Sequence, residues 1–341
     1  MADGGTEKGS GRVTIRTVAA HSGVSVAAVS KVLRNAYGVS ETLRGKVEAS
    51  IAALGYRPSV AARGMRGQTF TWGVLLVGID NPFLPSIYDG IQGVASTTGY
   101  KIMVGVGEAR TRTEAALIEQ MIDNRMDGLI LVASQISGEM LASYARQIPI
   151  VVVGHHEPGA TGYDTINNHD QLGARLVVGA LVERGYRDIA FLTQSDQEDH
   201  YADVAPQREI GYRAAMSEAG LEDLIRVMAL PQHGSPRDDQ IDEILRDPAR
   251  PRAIFCWSDL DAIPLLSEAH RLGIRVPQDL AIIGYDNSPV AALPQIGLSS
   301  VEQHGRELGR LAALSLLSRI GGRTEAEQIM VDPTLVIRRS I

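Results

Sequence analysis

Cysteine and aromatic side chains are scarce in this 341-residue chain: there is one cysteine, Cys256, and Phe, Trp and Tyr together make up 5%. A lone cysteine has no internal partner, which excludes a disulfide-stapled scaffold and fits a reducing cytoplasm. Long apolar runs are missing as well. The most extended, at residues 73–78 and 148–153, fall far short of the ~20 residues that a membrane-crossing helix needs. Residues 1–12 are polar and Gly-rich, without the apolar stretch of a secretory signal, so the expectation is a cytoplasmic protein with no membrane partner. What is present suffices for folding. Hydrophobic residues make up 44% and charged residues 21%, over a length that suggests two or three globular domains.

The 33 Lys and Arg stand against 40 Asp and Glu, a net charge of −7 that on its face argues against nucleic acid. Residues 1–67 reverse this. They hold ten basic and four acidic side chains, or +6, which leaves 23 against 36, or −13, for residues 68–341. Such a split points to an acidic-surface or nucleic-acid partner for the N-terminal segment alone.

Thr14 is placed to cap a helix over residues 15–22, where Ile15, Val18 and Ala19 fall at i, i+3 and i+4. Gly23 ends it, and Ser25 opens a second helix over 26–33 in which Val29, Val32 and Leu33 repeat the spacing. A third helix, 40–54, is capped by Ser40 and presents Leu43, Val47, Ile51 and Leu54 to close a small core. Two short helices joined by a Gly-containing turn make a helix-turn-helix, whose second helix lies in the major groove. On that geometry Val26, Ala27 and Lys31 face bases, while Thr14, Ser25, Ser30 and Arg34 border the phosphates. An ordinary three-helix subdomain is the plainer alternative. Residues 57–67 then read as a short basic helix started by Pro58, too short to be stable alone. Its Met65 suits a wedge into a minor-groove base step, with Ala62 beside it and Arg57, Arg63 and Arg66 on phosphates. As a linker it would simply be flexible.

The stretch Val13-Thr-Ile-Arg-Thr-Val-Ala-Ala-His-Ser-Gly-Val-Ser-Val-Ala-Ala-Val-Ser-Lys-Val-Leu-Arg34, followed by Leu54-Gly-Tyr-Arg-Pro-Ser59, resembles the DNA-binding and hinge region of the lactose/galactose repressor (LacI/GalR) family of bacterial transcription regulators. Thr17 stands where that family usually has Asp, Ala28 where Thr is common, Lys31 where Arg dominates, Arg34 where Asn is usual, and Met65 where Leu commonly forms the wedge. Lys31 is a point charge and not a bidentate fork, so a relative's operator sequence does not carry over.

From Thr71 onward, short Val/Ile/Leu-rich runs alternate with amphipathic stretches. Strands are expected at 72–79, 101–106, 128–133, 150–153, 188–193, 253–257 and 280–285. Helices are expected at 84–98, 113–124, 171–184, 207–219 and 259–272. The pattern predicts an α/β fold with parallel sheets covered on both faces, in two similar lobes. Ligands bind such sheets at the carboxyl ends of the strands. The residues that follow the strands are Asp80, Asn81 and Phe83, then Ser258 and Asp259, then Asp286 and Asn287, with Arg208 opening a helix. Carboxylates, an amide, a guanidinium and aromatic rings meeting in one cleft suit a polyhydroxylated or anionic small molecule. Taken singly, the two helix-opening Asp residues are possible caps, Asp286 and Asn287 turn residues, and Phe83 core.

The body also resembles the periplasmic-binding-protein-like core of the same family, at Asn81-Pro-Phe83, Gln207-Arg-Glu-Ile-Gly-Tyr212 and Ile283-Gly-Tyr-Asp-Asn287. The resemblance implies Arg208 and Asp286 as effector contacts, together with Phe83, Ser258 and Gln303, where Ser258 replaces a frequent Asn. It implies a tail at 1–12, a DNA-binding domain at 13–56, a hinge helix at 57–67 and a core at 68–341. Within the core, lobe 1 is expected at 68–168 and 301–326, and lobe 2 at 169–300 and 327–341. Crossings fall near Asn168, Ser300 and Ala326, and a helix at 303–320 belongs to lobe 1. With no leucine-rich helix after the last strand, a homodimer is expected.

Other chemistries are poorly supported. Gly105-Val-Gly-Glu-Ala-Arg110 lacks the third glycine of a dinucleotide fingerprint. His155 and His156 are adjacent and have no partner at zinc-site spacing. No nucleophile motif surrounds Cys256, and the acidic stretch 196–203 reads as a solvated loop with a minor claim to shaping effector choice. The expectation is therefore a sequence-specific, double-stranded-DNA-binding regulator and not an enzyme, without metal or cofactor. It acts as a repressor on a near-palindromic operator, controlled by a sugar or sugar derivative. A solute-binding protein or enzyme built on the same lobes is the alternative, disfavoured by the missing signal and the basic helix-turn-helix.

Overall fold

The computed structural model describes residues 13–33, 36–57, 67–194, 204–231 and 238–341. The chain divides into two units at Thr69. Three helices build the first: α1 (Ile15–Ser22), α2 (Val26–Leu33) and α3 (Glu41–Leu54). Thr14 and Thr17 cap α1 reciprocally, Thr17 N–H donating to Thr14 Oγ1 at 3.4 Å and Thr14 N–H to Thr17 Oγ1 at 3.2 Å. The departure at Thr17 is thus a capping-box residue. Gly23, at φ 66°, ends α1 in the left-handed conformation that glycine adopts without strain. Ser25 Oγ accepts the Ala28 N–H and Ser40 Oγ the Leu43 N–H, starting α2 and α3. Val18, Ala19, Val29, Val32, Val47 and Tyr56 form the core. His21 Nδ1 lies 3.1 Å from Ser50 Oγ, tying α1 to α3. The expected hinge segment, apart from its ends Arg57 and Gly67, and the 196–203 stretch lie outside the described residues, as does the 1–12 tail.

The second unit holds two six-stranded sheets. The first runs β11-β5-β4-β3-β1-β2, from β1 (Thr71–Leu76), β2 (Lys101–Val106), β3 (Gly128–Val132), β4 (Ile150–Val153), β5 (Asp164–Asn168) and β11 (Gln328–Val331), all parallel. The second runs β12-β10-β9-β8-β6-β7, from β6 (Ile189–Gln194), β7 (Arg226–Leu230), β8 (Ala253–Cys256), β9 (Ala281–Tyr285), β10 (Ser299–Glu302) and β12 (Thr334–Val336). Only β12 pairs antiparallel among these. Helices α4 (Leu84–Thr98), α5 (Thr111–Asp123), α6 (Gly138–Ala145) and α11 (Gly305–Ile320) cover the first sheet. Helices α7 (Asp170–Glu183), α8 (Val204–Glu218), α9 (Asp238–Arg246) and α10 (Asp259–Arg271) cover the second. Each sheet has an apolar cluster on both faces, which explains why its central strands read as unbroken apolar runs.

The chain crosses between lobes three times, and the sequence reading misplaced two of the crossings. β10 ends at Glu302 and still belongs to the second sheet, so the second crossing lies between Glu302 and Gly305 and not at Ser300. β11 pairs with β5 in the first sheet, which moves the third crossing from Ala326 to the two residues between Val331 and Thr334. The physical reason is that β11 is an exposed edge strand with alternating burial, which lacks the apolar continuity that marks its neighbours. Asn168 fastens all three crossings. It sits at the first, and its Nδ2 donates to the Gln303 carbonyl at 3.2 Å on the second and to the Val331 carbonyl at 3.0 Å on the third.

Helices α4 and α11 meet at two glycines. A Cβ on Gly309 would lie 1.9 Å from the Ile87 carbonyl oxygen, and one on Gly90 would lie 2.1 Å from that of Arg306. Backbone cannot yield there as a side-chain tip would. Gly309→Ala should therefore lower stability by about 1–3 kcal/mol despite alanine's better helix propensity. Gly93→Ala, on the open side of α4 where nothing lies within 4 Å, should raise it by about 0.5–1 kcal/mol. Urea denaturation of the two variants reads both signs.

Candidate functional site

Two surfaces gather the residues that the sequence singled out. On the first unit, Thr14, Ser25, Ala27, Lys31 and Arg57 are exposed and Ser30 is half-buried. Ala27 and Lys31 lie one helical turn apart on α2. Val26, expected to face bases, is half-buried and packs against the three-helix core, because the i, i+3 spacing with Val29 turns it partly inward. Ser25 and Thr14 spend their hydroxyls on capping. Tyr37, in the turn before α3, is fully exposed and was not singled out from the sequence. Arg34, Ala62, Met65 and Arg66 lie outside the described residues.

On the second unit, the carboxyl ends of β8 and β9 and the second crossing converge on one buried network. Asp286 follows β9. Its Oδ2 accepts from Ser258 Oγ at 2.9 Å and from Asn81 Nδ2 of the first lobe at 3.1 Å, and its Oδ1 accepts from Gln303 Nε2 at 2.5 Å. Arg208, on α8, donates through Nε to Asp170 Oδ1 at 2.7 Å, and through its two terminal nitrogens to the Trp257 carbonyl at 2.5 Å and Gln303 Oε1 at 3.3 Å. Its guanidinium carbon stands 3.7 Å from the centre of the Tyr285 ring, a stacking geometry that Lys cannot reproduce. Tyr285 in turn donates to Asn168 Oδ1 at 3.1 Å. Gln303 thus joins the carboxylate and the guanidinium from the crossing itself.

Asp286 and Asn287 have φ of 108° and 46°, left-handed values that cost non-glycine residues about 1–3 kcal/mol each. The strain is held by the Asp286 N–H, which donates to the Val301 carbonyl at 2.9 Å, and by the Asn287 N–H, which donates to Ser300 Oγ at 2.9 Å. It aims the Asp286 carboxylate back into the cleft.

Charge is distributed unevenly in this network. Burial alone would raise the Asp170 carboxyl, but the Arg208 guanidinium and the His156 imidazole outweigh it and hold that group below its ordinary value. Burial raises Asp286, and Arg208 with the donors on its oxygens offsets only part of this. Asp259, which opens α10, is raised to about 7 by burial and then by the charge of Asp286, against the hydrogen bonds from Ser300 Oγ and the Ser288 N–H, both at 2.7 Å.

Of the expected effector residues, Arg208, Ser258, Asp286 and Gln303 are thus brought together. Phe83 is half-buried on the first-lobe core at the start of α4, beside Gly305. Asp80 is exposed after β1, and its neighbour Asn81 makes the contact to Asp286. Asp170, Trp257 and Tyr285 were not singled out. A polar residue opening a helix straight after a strand was the available signal for Asp170, but its partner lies 38 positions away.

A three-helix DNA-reading unit followed by a two-lobed α/β core with a polar cleft defines a ligand-responsive regulator. Residues 14–59 match the model for bacterial regulatory proteins of the lacI family, and residues 178–341 match that for a periplasmic binding protein-like domain. The HTH-type transcriptional repressor PurR of Erwinia tasmaniensis is 32% identical over 96% of both chains. The ribose operon repressor of Haemophilus influenzae is 30% identical over 96% of this chain and 98% of its own. Among solved structures, the Lac repressor dimer bound to operator and the anti-inducer ONPF shares the fold at a TM-score of 0.82 and 23% identity, covering 97% of this chain and 99% of its own. The transcriptional regulator CelR in complex with cellobiose superposes at 0.68 with 26% identity, covering 97% of this chain and 100% of its own. The chain belongs to the lacI family of bacterial regulatory proteins. It is a DNA-binding transcription regulator with a small-molecule-responsive core, and not an enzyme. No helix among the described residues is long and apolar enough to cross a membrane.

Because its folded-state value lies above the ordinary one, Asp259 holds a proton in the native state that the unfolded chain releases. Its contribution therefore falls as pH rises from about 4 to about 7, by at most ~1.4 kcal/mol per pH unit, and is flat above that. Asp259→Asn, whose amide can still accept from the Ser288 N–H and donate to Ser300, should flatten this part of the profile. Denaturant midpoints at pH 5, 6 and 7.5 measure the difference; parallel profiles for the two proteins would refute the assignment.

Proposed function

We propose that this protein is a cytoplasmic, homodimeric repressor of a near-palindromic operator, whose affinity for DNA is set by a neutral, polyhydroxylated molecule, a sugar or sugar derivative, held between the two core lobes. The effector contacts in this reading are Arg208, Ser258, Asp286 and Gln303 from the second lobe and its crossing, with Asp80 and Phe83 on the first-lobe side. One observation carries the choice of a neutral ligand: the charge of Arg208 is already matched by buried Asp170 at 2.7 Å. Among the described residues, the hydrogen bonds to Asp286 all come from neutral donors. Among the described residues an anion entering this cleft meets no unmatched cation and faces Asp286, whereas hydroxyl groups can both donate to that carboxylate and accept from the guanidinium. The ribose and cellobiose in the descriptions of two relatives support a sugar. The rings of Trp257 and Tyr285 beside Arg208 favour a planar heterocycle as the second reading.

The DNA contacts proposed are Ala27 and Lys31 toward the bases, Thr14, Ser25, Ser30 and Arg57 along the phosphates, and Arg34, Ala62, Met65 and Arg66 from the sequence alone. The +6 balance of residues 1–67 supports this. Exposed Met103 and Val104 on the edge strand β2 supply apolar surface for a second copy.

A thermal-shift screen with neutral sugars, sugar acids, sugar phosphates and nucleobases tests the ligand class. A ligand at 100 times its Kd adds about 2.7 kcal/mol, a rise of several degrees. Stabilisation by acids or phosphates alone would overturn the neutral reading. With the hit in hand, Arg208→Lys and Asp286→Asn should each lose tenfold or more in effector affinity, of the order expected for a buried hydrogen bond to a charged group, while operator binding persists. Lys31→Ala should weaken operator binding and change its dependence on base sequence; an unaltered sequence preference places Lys31 on the phosphates instead.

A further inference from the structure

The ion pair behind Arg208 has a third member. His156 lies in the loop between β4 and β5, on the first lobe, and its Nε2 stands 2.9 Å from Asp170 Oδ2. Asp170 is the first residue of α7, on the second lobe, two residues past the end of β5. Its other oxygen takes the Arg208 Nε–H. The Asp170 side chain is 0% exposed and that of His156 12%. One carboxylate therefore serves both lobes, one oxygen each, at the pivot of the first crossing. Asp286 is tied across the cleft by Asn81 in the same manner.

We infer that Asp170 is a positioning residue that links the Arg208 guanidinium to the first lobe through His156, so that re-aiming Arg208 and rotating the lobes are a single motion. The inference rests on the reading of Arg208 as an effector contact. A buried carboxylate with both oxygens engaged cannot follow one partner without stretching its bond to the other, and no solvent is at hand to replace what is lost. An effector that draws Arg208 toward itself then acts on the first lobe through Asp170 and His156, in addition to its direct contacts there. Because it interacts differently with the two lobe arrangements, it shifts their populations. The Arg208 side of the relay is an ion pair, so a neutral side chain at 170 removes the counter-charge that the guanidinium pairs with, while a change at 156 breaks only the link to the first lobe.

The test needs no effector. Amide hydrogen exchange of the full-length protein, followed by mass spectrometry on peptides spanning residues 164–172, reports opening at the first crossing. His156→Ala should speed exchange there about tenfold and leave the rest of both lobes unchanged, and His156→Gln, whose amide can donate to Asp170, should restore it. The position of Arg208 is read separately. Trp72 and Trp257 are the two tryptophans of the chain, and Trp257 lies 5.8 Å from the guanidinium, so in a Trp72→Phe background its emission follows the cation. Asp170→Asn should shift that emission and His156→Ala should not. Should Asp170→Asn fail to fold, Asp170→Glu keeps the charge, displaces the oxygens and carries the same measurement. Unchanged exchange in His156→Ala, or no rescue by Gln, overturns the link to the first lobe. Unchanged emission on altering Asp170 overturns the positioning role. Either result leaves Arg208 as an effector contact untouched, whereas an undiminished ligand affinity in Arg208→Lys would remove that assignment and leave the relay standing.

Discussion

A guanidinium shut away from water must find its counter-charge and its hydrogen-bond acceptors inside the protein, and much of the core is arranged around that demand at Arg208. Asp170 supplies the charge, the Trp257 carbonyl and Gln303 supply acceptors, and Tyr285 supplies a ring face. Each partner comes from a different element. An isolated buried ion pair is poor evidence for stability, since well-packed apolar residues often do as well. Here the pair is better understood as a device for specificity: it balances the Arg208 cation inside the cleft. The polar groups still able to exchange partners are those that suit hydroxyls.

The same logic accounts for the strained corner after β9. Asp286 and Asn287 adopt left-handed backbone angles that local sequence does not favour. They keep them because the Val301 carbonyl, Ser300 and the side-chain donors from three elements over-determine the geometry. Asp259 lies beneath, protonated through much of the acid range by its burial and by its neighbour's charge. A carboxylate that is poorly solvated and approached by neutral donors is one that a ligand's hydroxyl can satisfy.

The parts of the molecule that were legible in the sequence were those whose cause is local. Caps at Thr14, Ser25 and Ser40, the glycine after α1 and the apolar runs of β3, β4 and β9 each depend on residues within a few positions, and the structure places them within a residue or two of expectation. Ser258 and Asp286, expected from strand ends, Arg208, from a helix start, and Gln303, from family resemblance alone, meet in one hydrogen-bonded network. What escaped was non-local. β5, with its run Asp-Thr-Ile-Asn-Asn, has no apolar continuity because Asn168 serves the crossings, with partners 135 and 163 positions away, and Asn167 holds the His155 backbone. β11 and β12 are edge strands whose periodicity is weak. Asp80 and Asn81 both follow the first strand and only Asn81 bonds to Asp286, because sequence alone does not say which of two adjacent side chains turns across the cleft. Val26 was assigned to the groove on helix position, and packing against Val29 and Val32 drew it partly inward.

The late placement of β11 and β12 bears on how the molecule is made. Both follow every other strand and are separated by two residues, yet one closes an edge of the first sheet and the other an edge of the second. The three-helix unit, by contrast, has its whole apolar core by Tyr56. Domains fold as units in the order they are synthesised. The DNA-reading part can therefore take shape while both lobes still await their final strands. A newly made chain holds the reader before it holds the switch, and the two lobes gain their edge strands within a few residues of each other.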